Sequence, residues 1–210
     1  MGTSLNDAAR RTTPIAVETF RNLPNTITLL RTLVVPVLLF FPALAGSRRG
    51  SQVMAWIFIV AALTDLLDGW LARRGQQVTR IGKLLDPLAD KLLVATALIV
   101  LLAAGRIPRW GAPMIVVIIG RELAVTGLRG LASAQGQIMA AAAAGKAKTL
   151  LQNIAIGALL FPDPTLGLPA RPIGLALLFA AAALTLWTGY GYFASYFADD
   201  AGREAQENGR

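Results

Sequence analysis

Six apolar stretches divide the chain, and they constrain its fold more than any other feature does. They lie at about 27–46, 53–72, 84–104, 111–133, 147–162 and 171–196. Each is close to the roughly 20 residues that a helix needs to cross the hydrocarbon core of a bilayer. Within lipid the backbone must satisfy its own hydrogen bonds, which a helix does. The sequence therefore predicts an all-α integral membrane protein with six transmembrane helices.

The distribution of positive charge predicts the orientation of these helices. The chain has 20 Lys and Arg against 12 Asp and Glu, a formal net charge of +8. Cytoplasmic loops of membrane proteins are enriched in Lys and Arg, and anionic lipids attract them. With the N-terminus inside, the opposite face holds few of these residues: Arg48, Arg49, Arg106, Arg109 and Arg171. We therefore expect both termini in the cytoplasm, a cell (inner) membrane location with membrane lipids as partners, and no nucleic-acid partner.

The chain is predicted to have three regions. Residues 1–22 are a polar tail and juxtamembrane segment without the apolar core of a signal peptide. The stretch before the first span has amphipathic character, which predicts a short N-terminal interfacial helix. Residues 23–197 form the transmembrane domain, and residues 198–210 form a polar C-terminal tail that we expect to be frayed.

Four aspartates lie among leucines in residues 63–93, LTDLLDGWLARRGQQVTRIGKLLDPLADKLL. A charge at membrane depth costs about 3 kcal/mol or more, so residues of this kind are functional by default. Asp65 and Asp68 are three residues apart and Asp86 and Asp90 four apart, so each pair shares one helix face. Because the connection is short, we expect the two helices to pack as antiparallel neighbours with these faces opposed. The four carboxylates are then predicted to converge.

Converging carboxylates need positive charge to offset their repulsion. The chain contains no His and no Cys, and an all-oxygen ligand set favours hard cations such as Mg²⁺ or Mn²⁺. Two divalent cations would neutralise the four charges, and a paired site of this kind is typical of phosphoryl transfer. The alternative is that the aspartates form salt bridges at the helix ends with Arg73, Arg74 and Arg80.

This stretch resembles the signature of the CDP-alcohol phosphotransferase family. Every fixed position of that signature is matched, by Asp65, Asp68, Gly69, Ala72, Arg73, Gly82, Asp86 and Asp90. The resemblance implies two divalent cations, Mg²⁺ or Mn²⁺, held by Asp65, Asp68, Asp86 and Asp90. It also implies that Asp90 is the catalytic base.

The same resemblance implies a site for a CDP-linked lipid. The cytidine diphosphate is expected to bind at Gly69, Arg73, Thr79 and Gly82, and residues of the first span border its pocket: Asn25, Thr28 and Arg31. Glycines let a ligand approach the backbone, although they also serve close packing of membrane helices. For the residues of the first span, the alternative is helix capping with interfacial anchoring.

Stretches outside the signature indicate the acceptor. Residues 23–40, 120–136 and 145–160 resemble bacterial phosphatidylglycerophosphate synthases within the family, which implies glycerol 3-phosphate as the acceptor and a homodimer. Charge-assisted hydrogen bonds to its phosphate are expected from Arg121, Arg129, Lys146 and Lys148. The alternative is that the last three are ordinary cytoplasmic-rim charges and that Arg121 forms a structural ion pair with the adjacent Glu122.

The resemblance as a whole implies an enzyme that transfers the phosphatidyl group of CDP-diacylglycerol to the primary hydroxyl of sn-glycerol 3-phosphate and releases CMP. Two alternatives lie within the family, a cardiolipin synthase and a phosphatidylinositol phosphate synthase. A divalent-cation transporter would also hold intramembrane aspartates. It would not need Gly69, Arg73 and Gly82 at these spacings.

Overall fold

The structure, a computed structural model, describes residues 23–72, 80–134 and 143–208, and the side chains of residues 31–64, 88–134 and 145–198. Most of these residues are helical, and no β-strand occurs among them. The helices are α1 (Leu23–Leu38), α2 (Phe41–Leu44), α3 (Arg48–Ala72), α4 (Arg80–Ala103), α5 (Ala112–Ala134), α6 (Ala143–Leu160) and α7 (Ala170–Asn208). A 3-10 turn, Arg109–Gly111, precedes α5. The prediction of an all-α protein is confirmed for the described residues.

The long helices follow the apolar stretches, with differences at both ends of the chain. The first predicted span, 27–46, is interrupted after Leu38, and a short second helix follows. Pro36 lies in the last turn of α1 and Pro42 in the first turn of α2, and proline ends helices or opens them because it lacks an N–H donor. At the other end α7 continues to Asn208. The Ala, Arg, Glu and Gln residues of the predicted polar tail are good helix formers.

Two helical segments in the described part of the chain have the dimensions of a membrane span. Within the described residues, Arg109–Ala134 and Ala170–Ala198 are long and apolar enough to cross a membrane, by length and composition. The six-span topology and the cytoplasmic termini stay predictions. The predicted interfacial helix falls on residues 1–22, which lie outside the described part of the chain.

An apolar core joins the helices. Among its fully buried members are Phe41 of α2, Phe58 of α3, Leu98 of α4 and Leu159 of α6. The most extensive contact is between α6 and α7. A Cβ added at Gly174 would lie 2.7 Å from the Cγ of Leu159, so a glycine is needed where α7 crosses α6.

The packing of α3 and α4 at the aspartate faces stays a prediction. In their described parts, the more extensive contacts of both helices are with α1, and α4 also packs against α5. The side chains of the aspartate faces themselves, residues 65–87, lie outside the described side chains. In the described residues, α1 therefore packs against both α3 and α4.

The C-terminal end of α4 is fixed by a Schellman motif and by one arginine. Gly105 has φ +68°, the N–H of Arg106 donates to the carbonyl of Leu101 at 2.9 Å, and the N–H of Gly105 donates to Leu102 at 3.0 Å. The Arg106 guanidinium then donates to the carbonyl oxygens of Phe161 and Ala45, each at 3.1 Å. It therefore ties α4 to the segments that follow α2 and α6.

Replacing Arg106 with Met is expected to lower the thermal unfolding midpoint of the purified protein by about 4–8 °C. The loss leaves two carbonyl oxygens without their charged donor, and hydrogen bonds to charged groups contribute about 1.5–3 kcal/mol. In a protein of this size, about 1 kcal/mol corresponds to roughly 2–4 °C. The matched control is Arg109→Met, because Arg109 is exposed in the same connection. Equal shifts in the two variants would show that the Arg106 contacts contribute no stability.

Candidate active site

The backbone places the predicted aspartates on two helices. Asp65 and Asp68 lie in the last turns of α3, and Asp86 and Asp90 lie in the first half of α4. Of the four, Asp90 has a described side chain. Gly69 lies in α3, Gly82 in α4, and Asn25 and Thr28 in α1, but the structure does not describe the side-chain surroundings of these four residues. Arg73 and Thr79 fall in residues 73–79, outside the described residues. The convergence of the carboxylates therefore stays a prediction.

Asp90 is held by the residue that follows it. The Nζ of Lys91 donates to Oδ2 of Asp90 at 2.9 Å, and the Asp90 side chain is 21% exposed. This exposure leaves the carboxylate accessible from the space between the helices. An aspartate placed in this way can accept a proton from a ligand there.

Glu122 lies at the centre of an ion cluster that joins three helices. Its carboxylate is 2.7 Å from Nζ of Lys91 on α4 and 3.1 Å from Nη1 of Arg121 on α5. It also accepts a hydrogen bond from Nζ of Lys148 on α6. Glu122 is 7% exposed and Lys148 is 2% exposed. The Glu122–Lys148 pair is therefore buried, whereas Lys91, with 23% of its side chain exposed, connects the cluster to Asp90.

Arg121 is held on its other side by α7. Its Nη2 donates to Oγ1 of Thr188 at 2.9 Å, and its Cζ lies 5.5 Å from the centroid of the Tyr192 ring. A Cβ added at Gly189 would lie 2.9 Å from the Cγ of Arg121, so the glycine leaves room for the arginine side chain. The guanidinium, a member of the ion cluster, is therefore fixed between α5 and α7.

The four cations predicted to hold an acceptor phosphate do not form one group. Arg121 and Lys148 meet at Glu122. Arg129 is exposed, with its Cζ 5.9 Å from the centroid of the Tyr192 ring. Lys146 is exposed on the first turn of α6. Because Lys146 and Lys148 are two residues apart, they point to different faces of the helix.

A cavity of about 160 Å³ lies between α4, α5 and α6. Asp90, Lys91, Glu122 and Lys148 line its polar end, and most of its remaining wall is apolar. Leu123, another lining residue, is largely exposed, so the cavity opens towards the outer surface of the helices. The cavity therefore places a candidate base and three charged groups around one space.

A second cavity, of about 330 Å³, lies between α1 and α3. Arg31 lines it together with Trp56 and Thr64, and only 1% of Arg31 is exposed. Thr64 immediately precedes Asp65 in α3. The structure thus brings Arg31 to the turn of α3 that carries the first aspartate pair.

Sequence reasoning did not identify Lys91, Thr188 or Tyr192 as site residues. A weak signal was available for Lys91, the only lysine in the predicted span 84–104 and the neighbour of Asp90. Thr188 and Tyr192 are four residues apart and therefore share a face of α7. Their partner Arg121 is 67 residues from Thr188, and no local pattern reports a contact of that separation.

Comparison with known proteins bears on this arrangement. The profile of the family described as CDP-alcohol phosphatidyltransferase matches residues 21–187. A Bacillus subtilis protein named CDP-diacylglycerol–glycerol-3-phosphate 3-phosphatidyltransferase is 41% identical over 184 residues, covering 82% of this chain and 93% of its own. A Mycobacterium tuberculosis protein named probable phosphatidylglycerophosphate synthase is 41% identical over 183 residues, covering 86% of this chain and 84% of its own. A Shigella flexneri protein with the same name as the Bacillus protein is 38% identical over 182 residues, covering 85% and 96%.

Proposed function

Because the chain belongs to the CDP-alcohol phosphatidyltransferase family, we propose that it transfers the phosphatidyl group of CDP-diacylglycerol to the primary hydroxyl of sn-glycerol 3-phosphate, releasing CMP. The observation that carries this proposal is the similarity, at 41% and 38% identity over most of the chain, to proteins named for that reaction. The cationic cluster beside Asp90 supports it, because a phosphorylated acceptor needs positive charge close to the base.

The proposed enzyme is a multi-pass protein of the inner membrane with its active site facing the cytoplasm. Six long helices correspond to the six apolar stretches, and in the part of the chain that the structure describes two helical segments have the length and composition to span a membrane. Five arginines, Arg48, Arg49, Arg106, Arg109 and Arg171, lie at the opposite end in this arrangement, which suits cytoplasmic termini. We include the transmembrane domain at 23–197, contact with membrane lipids and a homodimer in the proposal.

Asp65, Asp68, Asp86 and Asp90 would hold two divalent cations, Mg²⁺ or Mn²⁺. The donor set fits, because it is all carboxylate and the chain has no His or Cys. The helical spacing also fits, because it puts both members of each pair on one face. When bound, such cations polarise the phosphoryl oxygens and stabilise the charge on the leaving CMP.

The chain's own residues bind the two substrates and move the proton. The cytidine diphosphate would bind among Gly69, Arg73, Thr79 and Gly82, with Asn25, Thr28 and Arg31 bordering it; the buried Arg31 beside the α3 turn supports this arrangement. Arg121 and Lys148 would bind the acceptor's phosphate, and Arg129 and Lys146 would attract it from the exposed rim. Asp90 accepts the proton of the glycerol 3-phosphate hydroxyl while the oxygen of that hydroxyl attacks the lipid-linked phosphorus. The bond between this phosphorus and the CMP oxygen breaks. Direct displacement needs no covalent intermediate.

The purified protein is expected to form phosphatidylglycerophosphate and CMP when radiolabelled CDP-diacylglycerol is supplied with glycerol 3-phosphate and Mg²⁺. Phosphatidylglycerol and inositol phosphate, supplied in parallel, should give at least about tenfold less product. Phosphatidylglycerol has no phosphate monoester, and inositol phosphate offers only secondary hydroxyls on a bulkier ring. Thin-layer chromatography of the labelled lipid separates the three products. Preferred labelling of cardiolipin or of an inositol lipid would assign the chain to another branch of the family.

A further inference from the structure

The Glu122 carboxylate contacts more cations than it needs for neutrality. Lys91, Arg121 and Lys148 reach it from three helices, and the carboxylate itself is buried. Among these four side chains, three positive charges meet one negative charge. A charge taken out of water is costly unless it is paired. Lys148 is buried and Lys91 and Arg121 are partly buried, so the formal surplus of two positive charges favours binding of an anion beside the cluster.

The surplus of two positive charges matches, with opposite sign, the charge of a phosphate monoester dianion. Asp90 lies 2.9 Å from Lys91 and offsets one charge in the described structure. In the proposed function, however, Asp90 serves the divalent cations and the proton, so its charge is committed elsewhere. A dianionic phosphate beside the cluster would then balance the two remaining charges, with charge-assisted hydrogen bonds from the lysine and arginine donors.

The position of the cluster suits a phosphate whose hydroxyl end must reach the base. Lys91, Glu122 and Lys148 line the same cavity as Asp90. Nζ of Lys91 contacts both carboxylates, at 2.9 Å from Oδ2 of Asp90 and 2.7 Å from Oε2 of Glu122. An anion that contacts Nζ of Lys91 would therefore lie close to the Asp90 carboxylate.

We propose that Glu122 is a positioning residue for the acceptor site, which gathers Lys91, Arg121 and Lys148 so that these three cations bind the phosphate of the acceptor. Without the carboxylate, Lys91 and Lys148 would repel each other and turn away from the cavity. The inference rests on the proposed function, because it takes glycerol 3-phosphate as the acceptor. It adds Lys91 to the phosphate ligands and assigns the orienting role to Glu122.

The Glu122→Gln variant is expected to raise the KM for glycerol 3-phosphate at least about tenfold, since it loses the charge that orients charged donors. The KM for CDP-diacylglycerol and kcat at saturating acceptor should each stay within about threefold. Glu122→Asp keeps the charge and should show a smaller rise. Inorganic phosphate should also inhibit the Gln variant less strongly than it inhibits the wild type. The control is Thr185→Val, a nearly isosteric change at a fully buried residue of α7 outside the cluster, for which all constants should stay near wild type.

Other outcomes would overturn the inference. A KM for glycerol 3-phosphate that does not change, or a parallel rise in both KM values, would mean that Glu122 only supports packing. If the Glu122→Gln variant does not fold, Lys148→Gln is measured in its place, and the same rise in the KM for glycerol 3-phosphate is expected. The Glu122→Asp variant then still tests the role of the carboxylate. Where Glu122→Gln and Lys148→Gln both fold, they are combined in one double variant. Its KM for glycerol 3-phosphate should exceed that of the more affected single variant by less than about threefold, because Glu122 acts through Lys148. A wild type that makes no product from glycerol 3-phosphate would refute the proposed function itself, whereas a normal wild type with an unaffected Gln variant would refute only this inference.

Discussion

Replacing Asp68 with Ala is expected to reduce transfer from CDP-diacylglycerol at least about a thousandfold, which corresponds to about 4 kcal/mol of transition-state stabilisation. The reason is the composition of the site. The chain has no His or Cys to substitute for a lost carboxylate, and the proposed ligand set consists of four aspartates on α3 and α4. The same result is expected for Asp65→Ala and Asp86→Ala.

Binding of Mn²⁺ separates a ligand role from a general loss of activity. Electron paramagnetic resonance of the purified variant should show at least about tenfold weaker Mn²⁺ binding, because each carboxylate supplies part of the oxygen shell. Asp163→Asn is the matched control, since Asp163 is an exposed aspartate in the connection between α6 and α7. Its turnover and Mn²⁺ affinity should equal those of the wild type. Near-normal activity in Asp68→Ala would refute the assignment of the aspartates to a metal centre.

The helices were predictable because a continuous apolar stretch of about 20 residues is the pattern expected of a membrane-spanning helix. Five of the six long helices begin or end within a few residues of the apolar stretches, as α5 at Ala112–Ala134 shows against 111–133. The errors of detail have local causes. Pro36 and Pro42 interrupt the first stretch, and the helix-forming residues after 198 extend α7 beyond the apolar stretch.

The ion cluster was predictable only in part, because it depends on contacts between helices. The adjacency of Arg121 and Glu122 is visible in the sequence, but Lys148 lies 26 residues beyond Glu122, and Lys91 lies on another helix. Sequence proximity also grouped Lys146 with Lys148, although two residues along a helix turn the side chains to different faces. Helix packing, which sequence periodicity does not report, decides which cations meet at one carboxylate.

Asp90→Asn is expected to lower kcat by about 10²–10⁴-fold, the usual effect of removing a general base. The amide has the shape of the carboxylate but cannot accept the proton of the acceptor hydroxyl. The surrounding structure should persist, because Lys91 keeps its 2.7 Å contact with Glu122 when its contact with Asp90 weakens. The partial exposure of the side chain also limits the cost of the change.

The decisive measurement compares chemistry with binding in the same Asp90→Asn preparation. Equilibrium binding of labelled CDP-diacylglycerol should stay within about threefold of wild type, whereas single-turnover transfer to glycerol 3-phosphate should show the full loss in rate. A parallel loss of donor affinity would indicate that Asp90 acts mainly as a ligand of the divalent cations rather than as the base. Turnover within about threefold of wild type would place the base elsewhere. Because the chain lacks His and Cys, the search would then turn to the remaining carboxylates, lysines and tyrosines, beginning with Glu122 at the polar end of the same cavity.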